Sequence, residues 1–274
     1  MTYKGPIRRR NYGKGHGYVD ANGARVPGVT TILGDGLPKK ALINWAANAT
    51  ADYAVDHWDD LGDLPASKRL DKLKKARYED RDTAAKRGTE VHALAERLVK
   101  GEEVEVPDDI AGHVESYVSF LDAWEIEPVL IEAVVMSHRH GYAGTLDLIA
   151  DIPSRGTRAI FDIKTSRSGI FGETALQLAA YRYADTYVDA DGNEQPMLPV
   201  NEAFGIHIRA DGYSLLPVTA GPAQMREFQY AQQVARFSEE NSRGYIGEAL
   251  AAPGDLRRRR LEIVTTDHVG AVSA

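Results

Sequence analysis

The chain has 274 residues, of which 43% are hydrophobic and 27% are charged, and its formal net charge at pH 7 is -7. It contains no cysteine, which excludes disulfides, thiolate zinc sites and cysteine-ligated iron–sulfur clusters. No apolar run approaches the ~20 residues that cross a bilayer, so we expect a cytoplasmic protein without a membrane partner. The acidic net charge argues against a general nucleic-acid coat, and any nucleic-acid contact must therefore be local.

The N-terminal region is predicted to form a hairpin followed by helices. Residues 16–33 alternate around Asn22-Gly23, a dipeptide that favours tight hairpin turns. The next segments are rich in Ala and Leu at helical spacing. We expect helices at 38–58, 67–79, 83–101 and 107–126.

The second half of the chain changes from helical to strand periodicity. Three strands are predicted at 128–137, 142–151 and 158–166, with a turn at 153–156 between the last two. A helix at 172–188, a hairpin at 202–218 and a helix at 222–242 follow. This order predicts an α/β fold in which a mixed central β-sheet is flanked by helices. We divide the chain into an N-terminal hairpin and helical region (1–80), a core (81–250) and a disordered tail (251–274).

Three charged residues lie inside the predicted strands, where apolar residues are expected. Asp147 interrupts one strand, and Asp162 and Lys164 occupy the next. Residues i and i+2 share a face of a strand, so Asp162 and Lys164 lie together while Ile163 lies on the other side. If the two strands pair through the turn, Asp147 lies beside Asp162.

Two neighbouring carboxylates raise each other's pKa and destabilise a fold unless a cation neutralises them. Mg²⁺ and Mn²⁺ prefer carboxylate, carbonyl and water oxygens, so Asp147, Asp162 and the backbone carbonyl of Ile163 are candidate ligands. Such an ion would activate a water molecule, and Lys164 would orient or deprotonate that water and stabilise charge on a phosphodiester. The alternative is a metal-free structural ion cluster, whose stability would not depend on Mg²⁺.

Four short motifs resemble the PD-(D/E)XK nuclease superfamily, and within it the phage-encoded members of the RecB-like and λ-exonuclease-like group. They are the stretch RGTEVH that ends at His92, G-x-x-D at 144–147, D-x-K at 162–164 and Q-x-x-x-Y at 177–181. The resemblance covers roughly residues 87 to 187. The proline-aspartate pair of the superfamily name is replaced by Leu146-Asp147, which the RecB-like group tolerates.

The resemblance implies a restriction-endonuclease-like core and a role for each matched residue. It assigns metal ligation to His92, Asp147 and Asp162, the catalytic lysine role to Lys164, and DNA or active-site support to Gln177 and Tyr181. Similar nucleases often carry a glutamate on the first of the three strands. Glu132, on the predicted face of Leu130 and Val134, is therefore a candidate second ligand or proton acceptor, although an edge-strand charge that prevents aggregation is the alternative.

The expected function is a Mg²⁺- or Mn²⁺-dependent deoxyribonuclease, an exonuclease that acts on DNA ends in phage recombination or DNA processing. The sequence has no phosphate-binding loop of the ATPase type, so we expect no ATP site. The resemblance implies a single-strand annealing protein as a partner, a homo-oligomeric ring as a device for holding DNA, and the host cytoplasm as the location. The alternatives are a structure-specific endonuclease on the same fold and a non-catalytic DNA-binding module.

Three basic runs are candidate phosphate contacts, although such runs are usually solvated surface. They comprise Arg8–Arg10 with Lys14, residues 72–75, and Arg257–Arg260. The first run is the strongest candidate, because Tyr12 is interleaved with it and an aromatic ring could stack on a base of a single strand.

Overall fold

The computed structural model describes residues 3, 5–13, 15–166 and 169–250. The predicted tail at 251–274, with Arg257–Arg260, lies outside the described residues, as does Lys14. The fold is α/β, and a seven-stranded mixed sheet flanked by helices forms its centre. None of the described helices is both long and apolar enough to cross a membrane.

The N-terminal region consists of a small sheet and four helices. The strands β1 (Arg8–Tyr12), β2 (Gly15–Val19) and β3 (Arg25–Val26) pair in that order. The helices are α1 (Val29–Gly36), α2 (Lys40–Asp56), α3 (Trp58–Gly62) and α4 (Ala66–Val99). The helices predicted at 67–79 and 83–101 are one continuous helix, α4, because neither proline nor glycine lies between them to end it.

The remaining elements build the central sheet and its covering helices. In chain order they are α5 (Ala111–Ala123), β4 (Glu127–Ser137), β5 (Tyr142–Ile152), β6 (Thr157–Lys164), α6 (Glu173–Arg182), β7 (Thr186–Val188), β8 (Glu194–Pro196), β9 (Glu202–Arg209), β10 (Gly212–Pro217) and α7 (Pro222–Arg236). The sheet order is β10-β9-β6-β5-β4-β7-β8. Strands β6 and β9 are parallel, and the other neighbours are antiparallel. The predicted three-strand meander, the hairpin β9–β10 and the closing helix are confirmed.

The predicted hairpin at 16–33 is confirmed only in part. β2 and β3 pair around Asn22-Gly23, but the longer partner of β2 is β1, which the sequence analysis missed. The last residues of the predicted hairpin form α1 instead. Their β-branched side chains favour a strand, but Val29, Ile32 and Leu33 share one face of a helix and are buried against α6 and α7. Tertiary packing thus outweighs intrinsic preference.

The helix predicted at 172–188 is shorter than expected. It ends at Arg182, and Thr186–Val188 forms β7, which pairs with both β4 and β8. Strands β7 and β8 have three residues each. A segment of this length contains too little alternation to be recognised as a strand from sequence.

Two apolar layers enclose the central sheet. One layer packs α1, α6 and α7 against the sheet and includes Ile160, and the other packs α4 and α5 against it and includes Phe161. Successive residues of β6 thus enter opposite layers, as the alternation of a strand requires. A smaller cluster joins the N-terminal strands to β4 and β5; its buried members are Ile7, Tyr18, Val26, Met136 and Ala143. Asp162 of β6 is buried in this sheet, where an unpaired charge is costly.

Candidate metal centre

The register of β5 and β6 brings the two predicted aspartates together. Leu148 pairs with Phe161, and the next residue on each strand is Asp147 and Asp162. Beyond this pair the strands separate, and Oδ2 of Asp147 accepts a hydrogen bond of 2.7 Å from the backbone N–H of Ile163. The carboxylate of Asp147 thus takes the place of a backbone carbonyl of β5 as the acceptor for the N–H of Ile163 in β6.

Glu132 of β4 lies opposite Asp147. Its position follows from the register, because Ile131 pairs with Leu148 and Ala133 pairs with Leu146 on either side of it. The sheet therefore contributes three neighbouring carboxylates from three consecutive strands.

The backbone of Glu132 is in the left-handed region, with φ of 48°. This conformation is disfavoured for a residue with a side chain, and it interrupts the alternation of β4. Leu130 packs in the layer with α1, α6 and α7, whereas Val134 packs against the N-terminal cluster. The prediction that Glu132 shares one face with Leu130 and Val134 is therefore wrong.

Helix α4 brings His92 to the three strands. Its Nε2 lies 3.0 Å from the backbone oxygen of Ile163. Its Nδ1 lies 3.7 Å from Oε1 of Glu132 and 3.8 Å from Oδ1 of Asp147. These three side chains each offer one ligand atom within 4.8 Å of the other two. They are of the kind that binds a divalent cation, and an imidazole among them suits Mn²⁺ as well as Mg²⁺.

The carboxylates control the protonation of His92. Burial lowers the pKa of the imidazole, but the charges of Asp147 and Glu132 outweigh burial and raise that pKa to about 9. In the metal-free protein the ring is therefore protonated at pH 7. The imidazolium then supplies positive charge beside the carboxylates of Asp147 and Glu132.

Asp162 is 1% exposed and only half of its carboxylate is paired. Its Oδ1 accepts hydrogen bonds from Nζ of Lys164, at 2.8 Å, and from Nε2 of Gln177, at 2.9 Å. Its Oδ2 is buried, and within the described part of the chain no donor reaches it. Burial and the nearby charge of Asp147 raise the pKa of Asp162 to about 6, against the opposing effect of Lys164. The buried unpaired oxygen fits a group that a cation would complete.

The predicted face shared by Asp162 and Lys164 agrees with their direct hydrogen bond. Burial lowers the pKa of Lys164, but the carboxylates of Asp162 and Asp147 outweigh it, so the net shift is upward. Lys164 is therefore a cation and a hydrogen-bond donor in this structure. These properties favour charge stabilisation over proton abstraction as its chemical role.

The two predicted support residues of α6 lie behind Asp162. Gln177 also reaches the hydroxyl of Tyr181, at 3.4 Å, and Tyr181 is 3% exposed. The ring of Tyr181 lies against Gly144, where an added Cβ would come within 2.3 Å of Cε1. The glycine of the G-x-x-D motif thus makes room for the tyrosine of the Q-x-x-x-Y motif. Contact of either residue with a substrate stays a prediction.

The site opens into a cleft of about 700 Å³. The sheet and α4 form part of its wall, and the hairpin β1–β2 forms another part with Arg9, Asn11, His16 and Tyr18. Nη1 of Arg9 lies 3.8 Å from Oε2 of Glu132. The basic run at Arg8–Arg10 is visible in the sequence, but the structure shows that Arg9 alone of the three lines the cleft and faces Glu132. Alternation within β1 was the signal, and it could not be used because β1 was not predicted.

No protein-family model matches the chain, and no curated protein matches it. Its chemistry is therefore read from its own fold and side chains. These define an α/β protein in which two strands and a helix bring together His92, Glu132 and Asp147, a group able to hold a metal ion.

Proposed function

We propose that the protein is a divalent-metal-dependent deoxyribonuclease of the PD-(D/E)XK superfamily, with a restriction-endonuclease-like core. The observation that carries the proposal is the position of the group His92, Glu132 and Asp147 beside the ion pair of Asp162 and Lys164. The three members of the group and Lys164 line one cleft. A group able to bind a metal ion next to a half-buried lysine combines the two kinds of positive charge that phosphodiester hydrolysis uses.

The residues that would hold the ion are His92, Glu132 and Asp147. The resemblance adds Asp162, and the sequence adds the carbonyl of Ile163, which in this structure pairs with Nε2 of His92. A bound Mg²⁺ or Mn²⁺ supplies Lewis acidity towards a phosphoryl oxygen and lowers the pKa of a water molecule. Asp147 is fixed by the N–H of Ile163, and Asp162 is fixed by Lys164 and Gln177. These hydrogen bonds orient the carboxylates before any ligand binds.

Lys164 acts in this proposal through its charge. Its ammonium group is held by Asp162 on the face that borders the cleft, where it would stabilise the negative charge that develops on the phosphoryl oxygens. Hydrolysis is direct: the oxygen of water bonds to phosphorus, the bond from phosphorus to the leaving sugar oxygen breaks, and that oxygen takes up a proton. The sequence offers no cysteine nucleophile.

The kind of nuclease and its partners are proposed from the resemblance to the RecB-like and λ-exonuclease-like group. It favours an exonuclease that begins at DNA ends and works in phage recombination or DNA processing, with a single-strand annealing protein as partner and an oligomeric ring as a way of retaining DNA. An endonuclease on the same fold would use the same residues, so the requirement for an end must be tested separately.

The test is digestion of end-labelled linear DNA and of covalently closed circular DNA in Mn²⁺, Mg²⁺ or chelator. Three proteins are compared: wild type, Lys164→Ala, and Lys68→Ala, which removes an exposed lysine of α4 outside the basic run at 72–75. We expect metal-dependent loss of the linear form alone, unchanged in Lys68→Ala and reduced at least ~1,000-fold in Lys164→Ala.

Other outcomes assign other functions. Cleavage of the circle, with the same dependence on Lys164, would replace the exonuclease by an endonuclease. Binding of DNA without cleavage in any metal would contradict the proposed nuclease activity and favour a non-catalytic DNA-binding module.

A further inference from the structure

The hairpin β1–β2 presents one of its two faces to the candidate metal centre. Arg9 pairs with Tyr18 across the hairpin, and Asn11 pairs with His16. These four residues line the cleft. Arg8 and Arg10 belong to the opposite face, because successive side chains of a strand alternate. All three arginines are exposed, so they differ mainly in the direction in which they project.

The hairpin is attached to the strand that carries Asp147. Tyr18 is buried with Met136 and Ala143 of the central sheet. The backbone N–H of Ala143 also donates a hydrogen bond of 2.9 Å to the carbonyl of Pro27, which follows β3. These contacts fix the position of the hairpin relative to the acidic cluster.

A chain of polar contacts orients Arg9 from the central sheet. The hydroxyls of Thr145 and Tyr18 lie 2.9 Å apart, and the hydroxyl of Tyr18 lies 3.3 Å from Nε2 of His16. Nδ1 of His16 is 3.5 Å from Arg9. Burial and the charge of Arg9 lower the pKa of His16, so its neutral ring can accept from the guanidinium. Arg9 thereby lies in the wall of the cleft, with Nη1 at 3.8 Å from Oε2 of Glu132.

We propose that Arg9 is a phosphate-binding residue, whose guanidinium contacts the backbone of the DNA strand that enters the cleft. The inference rests on the proposed nuclease function and names the residue that brings the substrate to that site. The contacts of Arg9 with His16 and Glu132 are longer than the ~2.9 Å of a direct N–H···O bond. A phosphate can therefore take over guanidinium donors in a bidentate geometry.

The acidic residues of the cleft would repel DNA, so a cation beside them favours DNA binding. The chain has a net charge of -7, Glu132 and Asp147 line the cleft, and Asp162 is buried beside them. DNA phosphates approaching these carboxylates are repelled, and a cation at the entrance offsets the repulsion. Arg9 supplies that cation from the hairpin, and Lys164 lines the same cleft.

Arg8 and Arg10 provide matched controls on the same strand. Binding of a short fluorescein-labelled oligonucleotide is followed by anisotropy over a salt series, in EDTA so that no cleavage occurs. Arg9→Gln is compared with Arg8→Gln, Arg10→Gln and Arg9→Lys. We expect Arg9→Gln to weaken binding by ~10-fold and to reduce the slope of log K against log salt by about 0.7–0.9, the value for one phosphate contact. Arg8→Gln and Arg10→Gln should stay within ~2-fold of wild type, and Arg9→Lys should be intermediate.

The inference is overturned if the three glutamine variants bind like wild type, or if all three weaken binding equally. Wild-type protein that does not bind DNA at all also overturns it. The cleavage assay on the same preparations separates the two claims: active wild type with an unaffected Arg9→Gln contradicts the role of Arg9 alone, whereas inactive wild type contradicts the nuclease itself. Equal thermal unfolding of the four variants establishes that their folds are intact.

Discussion

The carboxylate of Asp147 accepts a 2.7 Å hydrogen bond from the backbone N–H of Ile163, in place of a carbonyl of the neighbouring strand. This one contact links the two charged strands at the point where their ladder ends. It also fixes a carboxylate that lies 3.8 Å from His92. The sheet is thus held together, at its acidic end, by the group that we assign to metal binding.

Substitution of Asp147 separates its structural role from its charge. Asp147→Ala leaves the N–H of Ile163 buried without its partner and should lower the free energy of unfolding by about 1–3 kcal/mol. Asp147→Asn keeps an oxygen that accepts from this N–H, so it should retain most of the stability. Urea unfolding in chelator checks both variants. Equal loss in the two variants would contradict the structural role of the hydrogen bond.

The backbone strain at Glu132 should be measurable. Glycine adopts φ of 48° without the steric cost that a side chain imposes. We therefore expect Glu132→Gly to be more stable than Glu132→Gln by about 1 kcal/mol in chelator, although both lose the carboxylate. The comparison of the two variants removes the effect of charge. A glutamine variant as stable as the glycine variant would indicate that the strain is absent.

The raised pKa of Asp162 predicts a pH-dependent stability in the metal-free protein. Its folded-state pKa of about 6 lies above the ordinary value of 3.8, so its contribution to stability is full below about pH 4 and is lost as pH rises through 6. Relative to Asp162→Asn, wild type should lose about 1–3 kcal/mol of unfolding free energy over this range.

Asp151 provides the control for that measurement. The hydrogen bond from Arg158 lowers the pKa of Asp151, so its contribution to stability is lost only as pH falls below about 4, and Asp151→Asn should remove that dependence of opposite sign. Chemical unfolding of the three proteins from below pH 4 to above pH 6 tests the prediction. It fails if wild type and Asp162→Asn change in parallel.

Gly144 is predicted to be irreplaceable for packing reasons. A Cβ at this position would lie 2.3 Å from the ring of Tyr181, which is buried and cannot move away without displacing Gln177. Gly144→Ala should cost about 1–3 kcal/mol and should also impair cleavage. Gly34→Ala is the control, because nothing lies within 4 Å of its added Cβ in α1. Thermal unfolding that affects both variants equally would contradict this account.

The sequence predicted the charged part of the sheet well because strand periodicity is local. Asp162 and Lys164 are two residues apart, and their shared face follows from the pleat alone. Asp147 joins them through a short turn, so its register needed no long-range information. The sequence alone therefore predicts that the three charged residues lie together at one position in the fold.

The rest of the site depends on contacts that periodicity does not encode. The left-handed backbone of Glu132 arises from its tertiary surroundings and reverses the alternation of β4. Strand β1 is exposed throughout, so it has no apolar alternation to reveal it, and the position of Arg9 could not be inferred. Helix α1 was mistaken for a strand because its β-branched residues gave a local signal that burial overrode.

The most direct test of the central claim, that these charges form a metal site, is calorimetric titration of Mn²⁺ into the metal-free wild type and into Asp147→Asn. We predict saturable binding to wild type, a higher unfolding temperature when Mn²⁺ is present, and at least ~100-fold weaker binding to Asp147→Asn. A wild-type protein that neither binds Mn²⁺ nor gains stability from it would show instead that His92, Glu132, Asp147 and Asp162 form a structural ion cluster.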